Sequence, residues 1–216
     1  APVAVEYRDP ASGESRTGTV DEHTVTGLAF MFSYMPQTAS LLPLVLDEAD
    51  HGRYAPLMSL SQLMGRSTSG SMARGMQWSV ICAEDADRRV EDAAASDTLL
   101  GPDVARMFCA ACPGWPHASR PDGFTDPLRS QAPALLLSGE LDPVTPPRYG
   151  DRVLEGLPNG RHLVLRGQGH NVIGVGCMPR LMAQFVDTAD AKPLDAKCLA
   201  KLAYTPPFTG FYGWEP

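Results

Sequence analysis

Two residues in the second half of the chain are of the right type and placing for one to orient the other in proton transfer. Asp142 follows the apolar run Ala134 to Ser138 through Gly139-Glu140-Leu141, and His170 follows the apolar run His162 to Leu165 through Gly167-Gln168-Gly169. Each lies just past the end of a predicted strand, in a loop that can bend toward its neighbour. A carboxylate in that position can fix the tautomer of an imidazole and stabilise the imidazolium formed when a nucleophile gives up its proton. The pair is therefore read as the acid and the base of a nucleophile, histidine and acid relay. Glu140 is the competing acid, but strand alternation points it elsewhere, and Asp142 is preferred. The plainer reading of Asp142, or of Thr145, is a cap on the helix that begins near Pro146. Such a relay also needs a nucleophile, for which the familiar setting is a G-x-S-x-G turn between strand and helix. That pentapeptide is not in the sequence, so the nucleophile is expected upstream, on polypeptide outside this chain.

The elements that must position these residues alternate. Strand Ala134 to Ser138, helix Arg148 to Leu157, strand Arg161 to Leu165 and helix Cys177 to Asp187 follow in order, as in a parallel α/β sheet. Two strands are too few for a parallel sheet covered on both faces. The earlier part reads differently. Val3 to Tyr7 and Arg16 to Val20 form two extended segments around a turn at Pro10 and Gly13. Helices follow from Asp21 to Met35, from Ser40 to Gly52, from about Pro56 to Met64, and from Thr98 to Cys109. Gly65 to Ser71 reads as a small polar loop, and Gln77 to Cys82 as a short extended run. The division expected is a helical cap with an N-terminal hairpin over residues 1–129 and an α/β core segment over 130–216.

Composition narrows the partners. The chain has 216 residues, 44% of them hydrophobic, enough for a real core. A net charge of −7 argues against a nucleic-acid footprint. No apolar run approaches the roughly 18 to 20 residues of a membrane span. Five cysteines are present, Cys82, Cys109, Cys112, Cys177 and Cys198. They are read either as buried thiols or as one or two disulfides of an exported protein with one odd thiol. Cys177 with Cys198 is the first pairing considered and Cys82 with Cys112 the second. No second ligand cluster supports zinc, and neither a metal nor an organic cofactor is implied.

The segments Leu135 to Pro146 and Gly167-Gln168-Gly169-His170 resemble the proline iminopeptidase and tripeptidyl aminopeptidase-like branch of the α/β-hydrolases. So do Val80-Ile81-Cys82-Ala83-Glu84-Asp85, the turn Cys112-Pro113-Gly114-Trp115-Pro116 and the spacing of Cys177 and Cys198. The resemblance implies the C-terminal portion of such a fold, a serine nucleophile upstream, disulfides, and a periplasmic or secreted location. It also implies that cap acids, here Glu84 and Asp85, hold the free amino terminus of a peptide substrate. The alternative for these two is a solvated helix start with local charge pairs. Trp115 is read as core packing in preference to pocket lining. The function expected is a serine exopeptidase, with His170 as base and Asp142 orienting it. An esterase or lipase on the same fold, and a non-catalytic fragment or subunit that needs a separate N-terminal chain, are the alternatives.

Overall fold

The computed structural model describes residues 1–88 and 103–214. The chain divides into two compact units, one of residues 1–28 and 54–126, the other of residues 29–53 and 127–216. Neither unit is a single run of sequence. Residues 29–53, grouped by sequence with the helical cap, belong to the same unit as the C-terminal segment.

The first unit is built on a hairpin. Strands β1 (Val3–Arg8) and β2 (Ser15–Val20) pair antiparallel, with Val3 opposite Val20 and Arg8 opposite Ser15. Asp9 makes the turn by accepting the backbone N–H groups of Ala11 and Ser12, and Gly13 takes the positive φ of 73° that closes it. Helix α1 (Glu22–Ser33) starts where Asp21 accepts the Thr24 N–H at 2.9 Å. Its first turns, to Leu28, lie in this unit.

Two helices differ from the sequence reading. Helix α4 (Ala55–Ser71) runs through Gly65 to Ser71, where a polar loop was expected. Its Ser59 hydroxyl donates to the Arg8 carbonyl and its Arg66 pairs with the buried Asp9. Anchorage on the hairpin outweighs the weak helix propensity of that Gly and Ser-rich stretch. Gln77 to Cys82, expected to be extended, lies within helix α5 (Arg74–Glu84). Gln77, Trp78, Ile81 and Cys82 are shielded while Ser79 and Val80 face solvent, a 3.6-residue period hidden in a short apolar run. Trp115 packs against Trp78 at 5.2 Å and donates its indole N–H to the Ser79 hydroxyl. Helix α6 (Asp103–Cys109) follows the undescribed stretch. The expected start of that helix at Thr98, with Leu100, lies outside the described residues.

In the second unit, strands β3 (Ala134–Gly139) and β4 (Gly160–Leu165) pair in parallel, Leu136 beside His162 and Gly139 beside Leu165. Helix α7 (Pro147–Leu154) forms the crossover and α8 (Met178–Thr188) follows. Leu163 and Leu165 join Val172, Met178, Leu181, Leu194 and Leu199 in one core, with Leu135 and Leu137 packed on it. The opposite face of the strand pair carries Leu136, Ser138, His162 and Val164. Helices α2 (Pro36–Ala39) and α3 (Leu42–Asp50) complete the unit. Among the described residues, no helix is long and apolar enough to cross a membrane.

Cysteines 82 and 112 form one disulfide, and Cys177 and Cys198 the other. Cys109 is a free thiol. It stands at C-x-x-C spacing from Cys112, a spacing absent from the sequence reading, but Cys112 is bonded to Cys82.

Candidate active site

The loops that leave β3 and β4 meet backbone to backbone. The Glu140 N–H donates to the Leu165 carbonyl at 3.0 Å and the Leu141 N–H to the Gln168 carbonyl at 2.9 Å. A Cβ at Gly139 would collide with the carbonyls of Gln168 and Gly169. Glycine is needed there for close approach, since its φ is not positive. Gly169 meets the same restriction on its other side, against the carbonyls of Ser33 and Tyr34.

Within this frame Asp142 and His170 come together. The Asp142 Oδ2 lies 2.9 Å and its Oδ1 3.2 Å from His170 Nδ1. The Asp142 side chain is 4% exposed and that of His170 is 36% exposed. Asp142 also accepts the backbone N–H of Val144 at 2.8 Å and of Thr145 at 2.9 Å, and the Thr145 hydroxyl at 2.9 Å. Burial pushes the carboxyl pKa up, but the donors at Thr145, Val144 and His170 more than offset that, and the net shift is downward. An ionised Asp142 can only accept, so Nδ1 carries the imidazole proton. Nε2 on the far edge of the ring then has a free lone pair, the arrangement a general base needs. Neither Asp142 nor Thr145 caps α7, whose N-cap is Pro146 with no side-chain cap bond; the Asp142 bonds to the Val144 and Thr145 N–H groups instead close a turn in the loop before the helix.

Glu140 is not beside the histidine. It accepts the Gly167 N–H at 2.8 Å and the Tyr204 hydroxyl at 3.1 Å, bracing the loop after β4. Those donors, with Arg166 nearby, hold its carboxyl below the usual range.

Tyr34, between α1 and α2, is a participant the sequence did not signal. Its carbonyl accepts the His170 backbone N–H at 2.7 Å. Its ring meets the imidazole edge-on, with centroids 5.3 Å apart. Burial, with the Asp142 charge second, raises its phenol pKa. Only the contact of distant segments reveals it, because Tyr34 and His170 are 136 residues apart. His162, at the third position of β4, is partly buried as a residue. Its side chain is 4% exposed.

The proposed substrate acids belong to the end of α5. Glu84 is the last residue of α5 and Asp85 follows it, in the first compact unit, whereas Asp142 and His170 lie in the second. Glu84 is half-buried and Asp85 exposed. Local charge pairing here uses Asp87, which is bound by Arg120 at 2.5 Å, and the Glu84 carbonyl, which accepts the same guanidinium. Among the described residues no cluster could hold a metal.

No curated protein and no solved structure gives a significant match to the chain. Residues 97–198 match the family model described as TAP-like protein. That interval contains Asp142, His170 and three of the four disulfide cysteines, and leaves Cys82, Glu84 and Asp85 outside. The segment that brings the acid to the histidine thus belongs to the tripeptidyl aminopeptidase-like family of α/β-hydrolases.

Proposed function

We propose that the chain contributes the acid and base of a serine exopeptidase that releases N-terminal residues or short peptides. The observation that carries this reading is the buried Asp142 carboxylate held against His170 Nδ1 by three further donors. His170 takes the proton of a serine hydroxyl as it attacks the peptide carbonyl, then returns it to the leaving amine. Asp142 keeps the ring in the productive tautomer throughout. The serine belongs to an N-terminal part of the same enzyme, and export to the periplasm or beyond fits the two disulfides. Glu84 and Asp85 are proposed to pair with the ammonium of a free peptide N-terminus.

A substrate panel tests the reading. The complete enzyme should cleave aminoacyl or tripeptidyl arylamides, should fail on their N-acetylated forms, and should lose affinity for the free amines in Glu84→Gln. Preference for simple acyl esters over every peptide would replace the peptidase with an esterase. Serine hydrolase activity in the isolated 216-residue chain would contradict the assignment of the nucleophile to another segment.

A further inference from the structure

A second imidazole is enclosed a few residues from the candidate site. His162 Nε2 lies 2.8 Å from the Ser138 hydroxyl, and His162 Nδ1 lies 2.8 Å from the Asp151 carboxylate. Because the carboxylate only accepts, Nδ1 carries the proton and Nε2 accepts from the serine. The donor order is that of a serine relay. Ser138, however, is 8% exposed within β3, and α7 covers the ring. A Cβ at Gly150 would come within 2.6 Å of the imidazole Cε1 and 2.7 Å of Nε2. There is no room beside that hydroxyl for an acyl group.

The places that this imidazole joins are informative. Ser138 is the next-to-last residue of β3, just before the turn that leads to Asp142, and Asp151 is on the helix that the Asp142 loop feeds. One ring on β4 therefore holds both flanks of residues 139–146, the loop that carries Asp142. We propose that His162 is a positioning residue that fixes Asp142 against His170 by tying β3 and α7 to β4. Gly150 belongs to the device, since it lets the helix settle onto the ring. This inference rests on the catalytic reading of Asp142 and His170 given above.

Kinetics of the complete enzyme test it with His162→Gln, Asp142→Asn and the double variant. His162→Gln should lower kcat by about 10- to 100-fold with KM unchanged, up to the scale of loss from a catalytic group displaced by about 1 Å. In the Asp142→Asn background it should cost nothing further, because His162 acts through Asp142. A fall in kcat that repeats in full in that background, or no fall in the single variant, would overturn the proposal. Should His162→Gln not fold, Asp151→Ala removes one tether from an exposed position, 68% accessible, and should show the same non-additive loss of kcat. Loss of fluorophosphonate labelling in Ser138→Ala at unchanged Tm would make Ser138 a nucleophile and would also overturn it. Near-normal rates in Asp142→Asn itself would instead remove the catalytic reading on which the inference rests.

Discussion

Asp142 does two things with one carboxylate. One oxygen accepts the backbone N–H groups that start the turn into α7, and both reach His170. The sequence reading set the histidine contact against a helix cap; the cap is absent, and the carboxylate, with about four lone-pair sites, serves the loop turn and the histidine together. Strand alternation does not separate Asp142 from Glu140, since residues two apart share a face; the turn closed by the Asp142 N–H on the Gly139 carbonyl does. The bracing role of Glu140 was not legible, since Tyr204 is remote in sequence. The lowered pKa of Asp142 carries a stability consequence. Its contribution is complete above the ordinary carboxylate pKa of about 3.9 and is lost as pH falls through its lower folded value. Urea midpoints of wild type and Asp142→Asn should therefore converge below about pH 4; a gap constant to pH 2 would contradict the shift. Thr145→Ala, which removes the hydroxyl donor but leaves the backbone one, should cost about 1 kcal/mol by denaturant unfolding.

At the scale of elements, the strand pair positions the chemistry through the closeness of its two exit loops. Gly139 and Gly169 allow carbonyls to lie where a side chain would stand. Gly139→Ala should destabilise the second unit by about 1 to 3 kcal/mol through overpacking, visible as a lower urea midpoint. An unchanged midpoint would mean that the loops can separate at no cost. Beneath them, Leu181 is fully buried in the α8 core. Leu181→Ala should cost about 2 to 5 kcal/mol. The β3, α7, β4 and α8 series was readable because two short apolar runs alternate with two segments of helical length. The helical state of Gln77 to Cys82 was not, because six residues with four apolar side chains fit either period. Burial on one side of α5 decided it. Residues 65–71 were misread for a related reason: local propensity favours a loop, while the pairing of Arg66 with Asp9 lies outside any local window.

At the scale of the molecule, each compact unit carries its own covalent staple, Cys82 to Cys112 in the first and Cys177 to Cys198 in the second. Loops of 30 and 21 residues each lower the entropy of the unfolded chain, by about 3 kcal/mol on the loop-closure account. Reduction should lower Tm in two separable steps if each bond supports its own unit, and a single unchanged transition would contradict this. The discontinuous composition of the units was not visible in sequence. Residues 29–53 look like further helical cap, and contacts remote in sequence, such as the acceptance of the His170 N–H by Tyr34 and of the Phe208 N–H by Ser40, tie them to the C-terminal unit. The match to the TAP-like family over residues 97–198 agrees with the part of the sequence where acid and histidine were most readable. The central claim is that Asp142 orients His170 for catalysis by a serine on another stretch of polypeptide. The most direct measurement is kcat of Asp142→Asn in the complete enzyme on a peptide arylamide. A fall on the order of 10⁴-fold in a variant that still folds at neutral pH is predicted, and a near wild-type kcat would contradict the account.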